Sequence, residues 1–194
     1  MSSLLEILKN WDTQLFIFFN GLNSPFWDQM MWWFSGKFFW LPMYLIIIAY
    51  IIYKYHWKAI ITLLFIALVV TLADQISVHA FKEVFQRLRP CHNPELKDIV
   101  HLVNDKCGGK YGFVSSHATN TFAVAFFLKK LFEQKYFSLF IIFWAAIVSY
   151  SRIYLGVHYP LDVIGGAVLG ILIGMLVFYL YRYTSKKLSN KFSR

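Results

Sequence analysis

Residues 41–53 and 61–72 carry no charged side chain, 136–150 and 163–181 are almost wholly apolar, and 118–132 is mostly so. Runs of this length and composition belong in a bilayer rather than in water. Lipid offers the backbone no hydrogen-bond partners, so each run must satisfy its own as a helix. The chain therefore reads as an all-α, polytopic transmembrane helical bundle. Composition agrees: of 194 residues, 58% are apolar and only 15% charged, whereas a soluble domain has about a quarter charged. Spans are expected at 38–53, 59–79, 118–132, 136–150 and 163–181. Residues 1–37 read as an N-terminal segment of two short interfacial helices, because 15–19 is too short to span and Asn20-Gly21-Leu22-Asn23-Ser24-Pro25 signals a turn. Trp-rich residues 26–34 suit the membrane interface. A tilted sixth span over 12–34 is the alternative.

The net charge of +9 does not point to nucleic acid, since no basic–aromatic interleaving or nucleic-acid module is visible. The basic residues flank the spans instead. The 54–58 turn, the 129–135 turn and the tail counted from Arg182 hold ten of the nineteen Lys and Arg and one acid, Glu133. The positive-inside rule puts those segments, including the basic tail 183–194, in the cytoplasm. The protein is then expected in a plasma (bacterial inner) membrane, in contact with the phospholipid bilayer and as a monomer. Its remaining polar segments, though far apart in sequence, meet on the extracytoplasmic face.

There are three such segments. In Ser151–Asp162, an arginine, a histidine and an aspartate lie between two apolar runs, where burying charge near lipid is expensive and usually functional. His158 and Asp162 are four apart and share a helical face. A carboxylate beside an imidazole fixes its tautomer, and Arg152 adds a fork suited to phosphate. The second segment is Lys82 to Arg89-Pro90. Gln75, His79, Lys82, Gln86 and Arg89 follow a 4-3-4-3 spacing, which predicts one polar face of a helix leaving the membrane. Arg87 falls off that face and reads as a snorkelling side chain, and Asp74 receives no role. The third is Ser115-Ser116-His117, where a serine cap opens a long apolar helix whose N-terminus favours anions.

Together, Lys82…Arg89-Pro90, Ser115-Ser116-His117 and Ser151-Arg152…His158…Asp162 resemble, in order and spacing, the signature of the type 2 phosphatidic acid phosphatase superfamily. The resemblance covers residues 38–182, the expected catalytic core. It implies that His158 attacks phosphorus and forms a phosphohistidine, that Asp162 orients His158, and that His117 protonates the leaving oxygen. Lys82, Arg89, Ser115, Arg152 and the backbone N–H of Ser116 would hold the phosphoryl oxygens. Three fixed cations can carry the charge of a phosphate, so no metal or other cofactor is expected. The family's usual Pro-Ser-Gly-His is here Val114-Ser115-Ser116-His117, which bears on substrate preference.

The short chain is similar to bacterial undecaprenyl-diphosphatases, which makes undecaprenyl pyrophosphate the first expected substrate. Phosphatidylglycerophosphate, phosphatidic acid and lipid A phosphates are the alternatives. Two other classes fit less well. A vanadium haloperoxidase would be soluble. A non-catalytic lipid-binding or lipid-transporting relative would be expected to lack His117, His158 or Asp162.

Cys91 and Cys107 lie in the expected outer loop, where oxidising conditions allow a disulfide. A bridge would close a loop of about fifteen residues, stabilising by about 3 kcal/mol in chain-entropy terms. Two free thiols, or a metal site completed by His92 and His101, are the other readings. Finally, Gly166, Gly170 and Gly174 put small residues on one face of the last span, which lets a neighbouring helix approach closely within the bundle.

Overall fold

A computed structural model describes residues 4–192; the last two residues of the expected tail and the first three of the chain lie outside the described ones. The helices are α1 (Leu4–Gly21), α2 (Pro25–Ser35), α3 (Leu41–Tyr55), α4 (Ala59–Gln75), α5 (Glu83–Phe85), α6 (Ser116–Phe132), α7 (Lys135–Tyr154) and α8 (Pro160–Phe192). No strand is present among the described residues; one antiparallel bridge joins Leu88 and Tyr111. Three helical stretches are long and apolar enough to cross a membrane: Leu41–Phe85, Lys135–Tyr154 and Pro160–Leu188. The first turns back at the 3₁₀ segment His56–Lys58, where His56 has φ of 50°, so α3 and α4 form a hairpin. The molecule is an all-helical integral membrane protein.

Helix α6 is the centre of the bundle, packed against α4, α7 and α8. Its buried face is rich in small side chains, Ala118, Thr119, Ala123 and Ala125. The glycines of α8 lie against it: a Cβ at Gly166 would stand 2.6 Å from the Ser115 carbonyl oxygen, and Gly170 and Gly174 are closed off by the Thr119 and Ala123 carbonyls. This stripe packs within the bundle, as its spacing predicts. Outward-facing side chains are large and apolar; Ile46, Leu64, Phe143 and Leu176 are among the most exposed. Such a surface is suited to lipid, not water.

The N-terminal segment differs from a continuous span over 12–34. Residues 22–24 break it, and Ser24 caps α2 by accepting from the Trp27 N–H at 3.5 Å, with Pro25 in the first turn. α1 is longer than expected and inside-out relative to a soluble helix. Leu4, Leu8, Trp11, Leu15 and Phe18 are exposed, while Asp12, Phe16 and Asn20 are buried. The buried polar groups anchor the segment. Asn20 donates to the carbonyls of His101 (2.9 Å) and Tyr154 (2.7 Å) and accepts from the His101 N–H (2.8 Å). Asp28 of α2 accepts from the Tyr154 hydroxyl at 2.8 Å and pairs with His101 at 2.9 Å. At the other end of the chain, α8 runs on without a break to Phe192.

Candidate active site

The connection between α7 and α8 builds one wall. Gly156 has φ of 79°, and a Cβ there would stand 2.7 Å from the His101 carbonyl oxygen, so only glycine fits this turn. The chain then folds back, with the N–H groups of Val157 and His158 donating to the Arg152 carbonyl at 3.2 Å. Pro160 starts α8 and sets Asp162 in its first turn. As the four-residue spacing predicts, His158 Nδ1 faces Asp162 Oδ2, at a long 3.4 Å, and the same oxygen accepts from the Tyr159 N–H at 3.0 Å. Both side chains are almost completely buried.

The second wall departs from the expected helical stripe. Residues Ile76–Lys82 are π-helical, which changes the phase of the face. Gln86 then adopts a left-handed conformation (φ 46°) and ends the helix. Gln75, His79 and Gln86 are exposed, and His79 pairs with Glu83 instead, at 3.0 Å. Beyond Gln86 the chain is extended. Arg89 N–H donates to the Lys110 carbonyl (3.2 Å) and Gly112 N–H to the Arg87 carbonyl (2.8 Å). In extended backbone, residues two apart point the same way. Arg87 therefore turns to the site alongside Arg89, which corrects its reading as a snorkelling side chain. Arg87 Nη1 donates to Asp162 Oδ1 at 2.9 Å and Nη2 to Asp12 Oδ2 at 2.6 Å.

Arg89 is held by two carbonyls, Tyr111 (Nε, 3.3 Å) and Cys107 (Nη1, 3.0 Å). Cys91 and Cys107 are bridged, with Cα atoms 5.9 Å apart. The two histidines of the alternative metal reading are engaged elsewhere, His92 with the Gly108 carbonyl and His101 with Asp28. Gly112 passes over the His158–Asp162 pair: a Cβ there would meet Asp162 Oδ2 at 3.0 Å, Arg89 Cγ at 3.2 Å and His158 Nδ1 at 3.5 Å.

The third wall is the start of α6. Ser115 is its N-cap, yet its hydroxyl makes no capping bond. Its N–H donates to the Asp162 carbonyl at 2.9 Å, which ties α6 to α8. Ser115 Oγ and Arg152 Nε are buried without a partner among the described residues. Arg152 Nη1 donates to Ser35 Oγ of α2. Ser116, in the usual glycine position, turns its hydroxyl away from any free approach: it accepts from Lys82 Nζ at 2.6 Å and lies 2.7 Å from Ser77 Oγ. The extra hydroxyl thus fixes Lys82.

These cations shape the histidine. Burial foremost, then Arg89, Arg152 and Lys82, hold His158 well below the ordinary imidazole value, so it stays neutral at physiological pH. His117 lies within electrostatic reach of Arg152, His158, Lys82 and Arg89. Its other side opens on a cavity of about 580 Å³ between α3, α4, α6 and α7. The walls are mostly apolar, including Met43, Ile47, Ile66, Val70, Leu128 and Val148. Asn120 Oδ1 and Trp144 Nε1 are exceptions: both residues line the cavity, and both atoms are buried without a partner among the described residues.

All eight polar residues singled out in the sequence, Lys82, Arg89, Ser115, Ser116, His117, Arg152, His158 and Asp162, converge on this end of the bundle. Arg87, Gly112 and Asp12 were missed. Asp12 had a legible signal, an acid on a helix whose other face is apolar. Gly112 had none.

A buried histidine among cations, with a second histidine, His117, lining an apolar cavity inside a membrane bundle, fits a phosphatase for lipid substrates. The chain belongs to the PAP2 superfamily, whose family model matches residues 62–186, and is a membrane lipid phosphatase. It is 43% identical over 190 residues to the lipid A 4'-phosphatase of Bacteroides thetaiotaomicron, covering 96% of this chain and 84% of that protein. It is 36% identical to the lipid A 4'-phosphatase of Porphyromonas gingivalis, covering 96% and 78%. Among solved structures, the transmembrane PAP2-type phosphatidylglycerolphosphate phosphatase of Bacillus subtilis matches with a TM-score of 0.66 at 25% identity, covering 93% of this chain and 87% of that one.

Proposed function

We propose that the protein removes a phosphate from an acylated sugar lipid of the lipid A type, through a phosphohistidine. The observation that carries the mechanism is the pair of buried, unpartnered polar atoms, Ser115 Oγ and Arg152 Nε, beside the cations that surround His158. Buried polar groups are normally satisfied, so unpaired ones in a charged pocket mark a ligand site. Lys82, Arg89, Arg152, Ser115 and the Ser116 N–H hold the phosphoryl oxygens. With Asp162 accepting at Nδ1, the lone pair of His158 lies on Nε2. It forms the N–P bond as the P–O bond to the lipid breaks, and His117 gives the leaving oxygen a proton. His117 then takes a proton from water, which attacks phosphorus; the N–P bond breaks and phosphate leaves. The fixed charges supply stabilisation where charge develops.

The substrate reading rests on similarity along nearly the whole chain to lipid A 4'-phosphatases, and on Asn120 and Trp144. A polyprenol would bring neither donor nor acceptor to these two atoms, whereas an acylated glucosamine brings amides and hydroxyls. On this reading lipid A comes ahead of undecaprenyl pyrophosphate, the first expectation from sequence. For topology we adopt five crossings, α3, α4 with its π-helical extension, α6, α7 and α8, with α1 and α2 at the interface. The basic turns at 54–58 and 129–135 face the cytoplasm and the site faces outward.

The test is phosphate release by detergent-purified protein, with EDTA present, from phosphorylated lipid A, undecaprenyl pyrophosphate, phosphatidylglycerophosphate and phosphatidic acid. Lipid A is expected to give the highest kcat/KM, and His158→Ala to abolish turnover. A faster reaction with the polyprenyl substrate would overturn the substrate, and an active His158→Ala variant would overturn the mechanism.

A further inference from the structure

Asp12 belongs to a helix outside the three motif segments, yet it touches the catalytic centre's support at two points. It is 2% exposed. Its Oδ2 accepts from Arg87 Nη2 at 2.6 Å, and its Oδ1 accepts from the N–H of Leu161, the neighbour of Asp162, at 2.8 Å. Arg87 Nη1 reaches Asp162 Oδ1 at 2.9 Å, and its guanidinium lies 4.1 Å from the centre of the Tyr159 ring. Asp162 Oδ2 faces His158. The contacts thus run unbroken from α1 to the nucleophile: Asp12, Arg87, Asp162, His158.

We propose that Asp12 and Arg87 are positioning residues for the His158–Asp162 pair, so that the N-terminal helix is part of the catalytic apparatus and not only a membrane anchor. The reason is charge as well as geometry. A guanidinium paired with Asp162 alone would neutralise that carboxylate. It would then have little negative charge to offer the imidazolium that forms when Nε2 bonds to phosphorus. A second carboxylate on the same guanidinium leaves the group of three with a net negative charge. Asp162 keeps its pull on the Nδ1 proton, while the planar fork of Arg87 fixes its angle. A lysine, with a single charged nitrogen, cannot span both carboxylates in this way.

The inference rests on the proposed role of His158, and the experiment separates the two. Turnover of phosphorylated lipid A is measured for Asp12→Asn, Asp12→Glu, Arg87→Lys and the double variant Asp12→Asn/Arg87→Lys, together with the rate of phosphohistidine formation in a single turnover. Asn keeps an oxygen for the Leu161 N–H, so Asp12→Asn is expected to fold. It should lose at least about tenfold in kcat with KM within about threefold, and phosphohistidine should form correspondingly more slowly. Asp12→Glu should recover part of the loss. The double variant should be no worse than Arg87→Lys alone, because both changes break one chain of contacts. Wild-type kcat in Asp12→Asn, a loss confined to KM, or additive losses in the double variant would overturn the inference. If His158→Ala is dead while Asp12→Asn is normal, only this inference fails. If His158→Ala turns over normally, the parent mechanism fails with it.

Discussion

At the end of the bundle away from His158, Tyr181 hydrogen-bonds Thr62 at 3.1 Å and packs edge-on against Phe65 and Phe127. The Tyr55 hydroxyl reaches the Leu131 carbonyl at 3.2 Å, and Lys54 lies over the rings of Tyr50, Tyr55 and Phe132. The contacts there are aromatic and aliphatic, and the buried Thr62–Tyr181 polar pair is mutually satisfied. The His158 end is built the other way. Buried charges are packed beside each other, and Ser115 Oγ and Arg152 Nε among them have no partner among the described residues. Apolar packing stabilises without directing anything. Clustered buried cations are expensive unless an anion joins them. On the proposed mechanism one end holds the fold together and the other holds phosphate, so changes at the two ends should separate stability from turnover.

The largest effect tests the aromatic end. Tyr181→Ala should lower stability by about 3–5 kcal/mol, the usual range for a deleted buried aromatic. A thermal melt in detergent reads it, and kcat per folded molecule should stay unchanged. Arg89→Gln is the counterpart. It should lower kcat/KM by about 10²–10³-fold, comparable to losing one charge-stabilising donor in other enzymes, with little change in the melting midpoint. Lost activity in Tyr181→Ala at full folding would break the comparison.

The disulfide crosses the division. Cys107 supplies both a sulfur and a carbonyl acceptor for Arg89. Replacing both cysteines by serine should lower stability by about 3 kcal/mol and raise KM, since the loop holding Arg89 is loosened. A change in stability alone would assign the bridge to the fold only. The smallest steady-state effect concerns the serine that replaces glycine. Ser116→Gly removes the Lys82 hydrogen bond, worth about 1 kcal/mol, and should raise KM by roughly fivefold.

A pH experiment sharpens the electrostatic side. His158 is held below the ordinary imidazole value by burial and by Arg89, Arg152 and Lys82. A histidine that attacks phosphorus, as proposed, must be neutral. A depressed pKa keeps it so throughout the neutral range, and proton uptake begins only in acid. Removing the Arg89 charge relieves part of that depression, so the titration moves toward higher pH. Nitrogen NMR of histidine-labelled protein without substrate should show His158 neutral at pH 6.5, and the titration displaced upward in Arg89→Gln. No displacement would show that the Arg89 charge does not contribute to the depression.

Much of this was legible from residues. Apolar runs marked the helices, the Gly166-Gly170-Gly174 spacing marked the helix contact, and the His158–Asp162 spacing marked the shared face. The errors came where regular helix was assumed. A helical stripe through Gln75, His79, Lys82, Gln86 and Arg89 requires 3.6 residues per turn, but a π-helical segment and a left-handed Gln86 interrupt it. The same break made Arg87 look irrelevant, because on a helix it points well away from Arg89 and on extended chain it does not. Asp12 was legible as an acid in apolar surroundings, but its partners were not.

The sequence by itself determined the class of fold and marked the polar residues that the fold gathers at one end of the bundle. Apolar length forces helices in lipid, and charges survive burial only where something uses them. Tertiary structure decided which charges face which. Hydrophobic patterning places a residue on a face of its own helix, but it cannot say what a neighbouring element brings to that face. The meeting of Asp12, Arg87 and Asp162, separated by 75 residues at each step, exists only once α1, the 86–89 segment and α8 have packed.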